Sequence, residues 1–552
     1  MAATAYVQGY QPFAFDDFSG GLNLRDKADT IGDKEAIDLL NVTFTERGAI
    51  RQRDGYTDFT GDLTNRVDSL AAFYTTSGLR HLIAGCGTRL EAIDNAGAIV
   101  ASATGLTGPG PYSMARFAAP GSEHLYASNG VDAPRKWDGS AWTTPTATVN
   151  GTAASAMPKA GALTVTAVLP GSASGTNAAN RLVATAYGTA GTAGPGGTTS
   201  TPSRVHFSNP GAPDVWETDG AGSPVRGRNF LDLTPGDGEQ IMAAVTWREL
   251  VFIFKETKFF VLWGESTAAD GTPIFNVREV VNQVGLASKQ AVCVGREGVY
   301  FLNRRGVYLT NGSDPQLVSD LITPLWTGDP APYYTGTSIN LLQLPLARMA
   351  WHNEQVYVAV PTGSSAFNDR TLVYDTQHRW WSIYDLPAAA LVPFRRLDRN
   401  ELMLGYSTGT NRIGRHTIGL RDDRGAAITS RWRSGWSDYN QPTVKTFREM
   451  KTWGSGAVRV SFSVDYDLGF ATSADVLFSL AQVWPSSGTW GDWITSIGGV
   501  WPGGTQIASR MARRSVQGTA FSTQFSNSST SPDWSLHRVV RNMRETRGAS
   551  VL

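Results

Sequence analysis

One arrangement recurs through the middle of the chain and limits what it can become. It is a run of alternating apolar residues, a tight polar turn and a second such run, often closing on an aromatic followed by Gly or Asp. The clearest cases are "IMAAVTWRELVFIFKETKFFVLWG" (241–264) and "QAVCVGREGVYFLNRRGVYLTNG" (290–312). Earlier come "HLIAGCGTRLEAID" (81–94), "EHLYASNGVDAPRKWDG" (123–139), and "RLVATAYG" leading to "RVHFSNPGAPDVW" (204–216). Later come "ARMAWHNEQVYVAVP" (347–361), "TLVYDTQHRWWSIYD" (371–385) and "ELMLGYSTGTNRIGRHT" (401–417). A period of two places alternate side chains on opposite faces of a strand. Each unit is too small to bury both faces of its own sheet. Recurrence at about 40–50 residues therefore implies copies arranged around an axis, as in a β-propeller.

The expected fold is all-β: a propeller of about six or seven blades over residues 51–425, with a stacked sandwich as the structural alternative. An Ala/Gly/Ser/Thr-rich region near 144–203 reads as exposed loops. Beyond 425, "SRWRSGWSDYNQPTVKTFREMKTWGSGAVRVSFSVDYD" alternates more strongly, and a β-sandwich-like domain is expected over 426–552. Residues 1–50 read as a docking arm. Ser19-Gly20-Gly21 is turn chemistry. "TIGDKEAIDLLN" offers Thr30 and Asp33 as caps and a stripe of Ala36, Leu39 and Leu40, which predicts about two turns of helix.

Composition narrows the function classes. The 48 Lys+Arg offset the 48 Asp+Glu, so no global charge points to nucleic acid or a membrane surface. Gly (59) and Pro (27) suit many short elements joined by turns. Cys86 and Cys293 are too few to frame a chain of 552 residues with disulfides and read as small core residues in a reduced cytosol. No apolar run approaches the ~18 residues of a membrane helix, and "MAATAYVQGYQPFAFDDF" has no signal-peptide pattern.

The search for catalytic groups is negative. Gly405-Tyr406-Ser407-Thr408-Gly409 matches a nucleophile-elbow pattern without the helix that must follow it, and reads as a turn. The seven histidines are scattered, without zinc spacing. No phosphate-binding glycine loop or calcium loop appears. A glycosidase whose paired carboxylates lie far apart in sequence would leave no local motif. No cofactor, metal or catalytic residue is assigned. Trp484, Trp490, Trp493 and Trp501 lie in a Gly/Ser-rich context, as a subunit contact or a sugar-stacking surface. Arg538, Arg541 and Arg544 are spaced by three: on a helix they form a one-sided stripe, on a strand they scatter across faces.

The opening stretch carries a resemblance. "FSGGLN" (18–23) followed by "NVTFTERGAIRQRDGY" (41–56) resembles the N-terminus of β-propeller tail proteins of tailed bacteriophages. "RVHFSNPGAPDVW", "VGLASKQAVCVGREGVYFLNRRGVYLTNG", "LVSDLITPLW" and "RVVRNMRE" fit the same style and order. Among these proteins the chain is similar to the tail tubular, or nozzle, proteins of short-tailed phages. The resemblance implies a non-enzymatic virion component made in the host cytoplasm. It further implies a ring, hexameric by preference, that meets an adaptor and fibres or a tip and lets double-stranded DNA pass through its lumen. No membrane insertion of the monomer is expected. A receptor-binding tail protein holding host glycans is the alternative. On this reading Phe18, Gly20, Gly21, Asn23, Leu39, Leu40, Trp484, Trp490, Trp493, Arg538, Arg541 and Arg544 are candidate contacts with a neighbouring subunit or protein.

Overall fold

The computed structural model describes residues 11–545, apart from 46–47, 109, 120–121, 150–151, 158, 167–179, 188–201, 209–210, 217–229, 268–272, 281–282, 331, 398, 440–442, 467–471, 479–507 and 529–533. Among the described residues the repeating units become six antiparallel sheets of four successive strands and a seventh, six-stranded sheet. Blade one is Val67–Tyr74, Arg80–Cys86, Arg89–Ile93 and Ile99–Ala103. Blade two is Ser113–Ala119, Ser122–Ser128, Arg135–Trp137 and Trp142–Thr143. Blade three is Ala160–Val165, Leu182–Tyr187, Arg204–Phe207 and Phe230–Asp232. Blade four is Ala243–Trp247, Leu250–Phe254, Phe259–Thr267 and Pro273–Val280. Blade five is Val292–Val294, Val299–Asn303, Gly306–Thr310 and Gln316–Leu317. Blade six is Arg348–His352, Gln355–Val360, Arg370–Asp375 and Trp381–Tyr384.

Blade seven is assembled from both ends of the propeller sequence. Ala388–Arg396, Arg399–Tyr406 and Ile413–His416 supply its inner strands, Tyr56–Asp58 pairs antiparallel with Ile413–His416 as the fourth, and the short strands Asp422–Asp423 and Ala426–Ala427 extend the sheet beyond it. The first strands of successive blades lie side by side, and Ala388–Arg396 against Val67–Tyr74 completes the circle. The fold is an all-β propeller of seven blades. Between neighbouring blades sit apolar clusters, such as Phe254, Phe259 and Phe301 between blades four and five, because each small sheet needs the next to cover its face.

Two expectations change here. The stretch near 144–203 is not only loop: it holds a hairpin, Thr146–Val149 with Thr152–Ala156, and two strands of blade three. Ala160, Leu163, Val183 and Ala184 are buried there. Alanine-rich strands are short of bulk, yet period-two alternation still lets them pack. The helix expected in "TIGDKEAIDLLN" is instead a strand, Glu35–Leu40, paired with Ser430–Ser434. Ala36, Ile37, Leu39 and Leu40 are all buried, because the strand is covered on both faces. A doubly covered strand loses its alternation and can mimic a helical stripe. Asp38 within it is also buried, held by Arg431 at 2.7 Å and by the Thr335 hydroxyl at 2.7 Å. Among the described residues the α-helix is a single turn, Pro324–Thr327.

The N-terminal arm is tied into the fold by strand pairing. Gln11–Phe15 pairs with Ser535–Glu545, and Ile50–Gln52 pairs with the start of that same strand. The C-terminal domain is organised by one 20-residue strand, Lys445–Val464. Its first half pairs with Ala508–Gly518 and Ser535–Glu545, and its second half with Thr472–Phe478 and Phe521–Asn527. Two sheets joined this way enclose a sandwich-like interior of Trp432, Phe447, Phe462, Phe525 and Val539. That interior continues into the propeller through Phe18, Leu22, Trp326, Val358 and Trp381.

Close backbone approach fixes the junction. A Cβ at Gly55 would lie 1.9 Å from the Asp422 carbonyl oxygen. Gly55→Ala is therefore expected to destabilise the protein by about 1–3 kcal/mol or more, as overpacking against rigid backbone does. A urea midpoint equal to that of the parent protein would refute this.

Candidate functional site

The junction of blade six, blade seven and the N-terminal strands holds the densest polar chemistry among the described residues. A cleft of about 780 Å³ opens there, its wall including Arg53, Asp54, His352, Tyr384, Glu401 and His416. At its base Arg53 is 1% exposed. Its Nε donates to the Asn41 side-chain oxygen at 2.8 Å, and Nη1 donates to the Asp54 carbonyl at 3.0 Å and to Asp423 at 2.9 Å. Nη2 donates to the second Asp423 oxygen at 2.6 Å and to the Asp385 carbonyl at 3.2 Å. All five N–H groups of the guanidinium are used, in the fork geometry that lets arginine grip a carboxylate with two bonds. The guanidinium also lies between the rings of Tyr56 and Tyr384, at 5.9 and 5.7 Å. Burial pulls its pKa down, but the hydrogen-bonded charge of Asp423 outweighs this and holds it above the ordinary arginine value.

Asn41 gathers the same parts from the other side. It adopts φ 53°, a left-handed conformation that asparagine tolerates better than most residues. Its amide donates to the Thr429 carbonyl at 2.7 Å, and its side-chain oxygen accepts from the Asp385 backbone N–H at 2.7 Å. Through Asn41 and Arg53, blade six, the closing strand of blade seven and the entry to the sandwich share one hydrogen-bond network.

The remaining titratable groups are largely committed. Burial raises the pKa of Asp54, but Arg51 and the Gly419 N–H outweigh it and leave the carboxylate below its usual range. Arg421 adds an ion pair with Asp54 at 2.8 Å. Glu401 meets Arg396 at 3.0 Å and Arg415 at 3.7 Å. Burial, then the charge of Arg53, pulls His416 down to about 4; burial, then His416, brings His352 to about 4. Both rings are neutral at physiological pH. His416 Nε2 lies 3.0 Å from the Asp54 carbonyl. The arrangement resembles a mechanical clamp, with its charges spent on one another.

The elbow-like serine is likewise tied down: Ser407 is buried and its hydroxyl donates to the Asn368 carbonyl at 2.6 Å. Cys86 and Cys293 are free buried thiols, both pushed well up by burial. Among the described residues no three His, Cys, Asp or Glu side chains lie close enough to hold a metal ion. No described helix is long and apolar enough to cross a membrane.

The candidate contact residues divide. Phe18, Gly20, Gly21, Asn23, Leu39 and Leu40 pack against other parts of their own chain. Phe18 packs edge-on to Trp432, with centroids 5.1 Å apart. A Cβ at Gly20 would strike Glu35, and Gly21, at φ +73°, presses on Trp380 and Trp381 of blade six. Asn23 is buried, and its side chain donates to Asp26 at 2.9 Å. Leu39 and Leu40 are buried. Within the single chain Phe18, Gly21, Asn23, Leu39 and Leu40 are buried and Gly20 is half-buried. Arg538, Arg541 and Arg544 lie on the strand Ser535–Glu545, so their spacing of three alternates faces. Arg538 and Arg544 are exposed, whereas Arg541 turns inward over the Phe15 ring at 4.3 Å and donates to the Tyr439 hydroxyl. Trp484, Trp490, Trp493 and Trp501 lie outside the described residues. Arg53 and Asp423 escaped sequence reasoning as site residues, and Asn41 entered it only through the resemblance; the signal was the "RDG" before Tyr56, polar residues set directly against a strand that must be buried.

No family model matches the chain, and no curated protein matches it. Among solved structures it is similar to two crystal structures of BBS1N in complex with ARL6DN, one soaked with lead and one with mercury. Identities are 11% and 12%, TM-scores 0.38, and the alignment covers 66% of this chain and 98% of each of those.

Proposed function

We propose that the chain is a non-enzymatic structural subunit of a bacteriophage tail, the nozzle or tail tubular ring that extends the DNA ejection conduit and anchors neighbouring tail proteins. One observation carries the reading. The residues on which the resemblance to phage tail propellers rests are the ones that lock this molecule together. Gly21 admits the arm to blade six, Asn41 ties blade six to the sandwich, Gly55 permits contact with the 422–423 backbone, and Tyr56 opens the strand that closes the ring of blades. A body closed in this way suits a part that bears load without changing shape.

The small cavity at the propeller axis supports a DNA path outside the single propeller. The cavity among the inner strands is about 230 Å³, equivalent to a cube roughly 6 Å on edge, whereas the major groove alone of a duplex is about 12 Å wide. Gln290 also spans it, donating to the Tyr112 carbonyl at 3.0 Å and to Ser69 Oγ at 3.4 Å. DNA passes between copies arranged around a common axis, six by preference, and not through one propeller. A balance of 48 basic and 48 acidic residues avoids the phosphate neutralisation that would retain it. Electron microscopy of the purified protein and of the parent virion is expected to show a six-fold ring with an open axis. Strictly monomeric protein that is also absent from virions would overturn the reading.

A further inference from the structure

The small cavity at the propeller axis has a chemistry of its own. Inner strands of all the blades contribute to its wall, and the charged residues lining it are Lys289 and Arg348, with no carboxylate among them. Arg348 is 7% exposed, and its Nη1 donates to the carbonyls of Leu346 and Ala347 at 2.9 and 3.0 Å. Its Nε has no hydrogen-bond partner among the described residues. Asp68, the carboxylate whose field reaches Arg348, is held by Arg66 at 2.8 Å. Lys289 is exposed rather than buried, at the rim of the cavity, and makes no ion pair among the described residues. Two like charges thus line one cavity, Lys289 exposed and Arg348 buried with a donor left over, and no carboxylate lines it with them.

A buried cation with a free donor is costly unless an acceptor meets it, and two cations sharing a cavity repel one another. We infer that this cavity is a binding site for a small oxyanion, of which inorganic phosphate is the simplest member, held by Arg348 Nε and Lys289 Nζ. The volume lies below that of pockets for drug-sized ligands, about 300–1,000 Å³, and suits a tetrahedral anion or small carboxylate with a little water. The site is independent of the tail assignment and would hold in any propeller with these residues.

Titration calorimetry with inorganic phosphate at constant ionic strength, using the full chain, tests the inference, with sodium chloride as the control. Saturable one-site binding is expected, together with a phosphate-dependent rise in melting temperature. Lys289→Met should weaken phosphate on the order of 10- to 100-fold, the loss of one charge-assisted contact, and leave melting without phosphate unchanged or higher. Arg348→Lys, which keeps the charge but loses Nε, should weaken binding as well. Absence of saturable binding by the parent protein, or undiminished binding by Lys289→Met, would overturn it.

Discussion

Replacing Arg53 with methionine will cost about 3–5 kcal/mol of unfolding free energy, the range found when one partner is removed from a buried ion pair. The substitution fills much of the volume but leaves Asp423 facing a cavity wall without its bidentate partner. It also strips donors from the Asn41 side chain and from the Asp385 and Asp54 carbonyls. Arg53→Lys should fall between the two, since a point charge reaches one oxygen and cannot fork. The double variant Arg53→Met with Asp423→Leu should recover part of the loss, because removing both charges leaves no orphan. Equilibrium urea denaturation followed by tryptophan fluorescence gives these differences. A single variant within about 0.5 kcal/mol of the parent, the range of ordinary surface changes, would refute the role assigned to the clamp.

Acidification will weaken the fold well before carboxylates titrate. His352 and His416 are held at about 4, and burial, then Arg204, brings His206 to about 3, against about 6.5 for a free imidazole. Above pH 6.5 both folded and unfolded chains carry these rings neutral, and they contribute no pH dependence. Between about 6.5 and 4 the unfolded chain takes up protons that the folded chain refuses, so stability falls as pH falls. Each ring approaches 1.36 kcal/mol per pH unit in that window. His352 and His206, the two most buried, would together cost roughly 4 kcal/mol at about pH 5. Paired carboxylates such as Asp132, held at about 2 chiefly by hydrogen bonds from Thr107 and Asn129 against the effect of burial, add their loss only below about pH 4. Urea midpoints measured from pH 7.5 to 5 should drop steadily, and His352→Gln should flatten the slope. A flat profile would refute the account.

Much of this was readable from residue order. The period-two runs at 241–264 and 290–312 became blades four and five because local alternation and turn residues agree there with the tertiary demand for one buried face. What alternation cannot reveal is a partner distant in sequence. Tyr56–Asp58 is only three residues long, and its role depends on Ile413–His416. Glu35–Leu40 misled because covering both faces removed the pattern that distinguishes strand from helix. Arg538, Arg541 and Arg544 were ambiguous until their element was known: the same spacing is a stripe on a helix and an alternation on a strand. The clamp was hidden for a different reason. Arg53 and Asp423 are 370 positions apart, and two ordinary charged residues carry no mark of belonging together.

The pairing of Gln11–Phe15 with Ser535–Glu545 imposes a schedule on biosynthesis. The strand Gln11–Phe15 leaves the ribosome more than five hundred residues before its partner exists, a delay of roughly half a minute to two minutes at about 5–20 residues per second. Until residues 535–545 are made, Gln11–Phe15 lacks the strand it pairs with. A prematurely terminated product would lack that strand, so finished and unfinished copies differ in whether Gln11–Phe15 is paired.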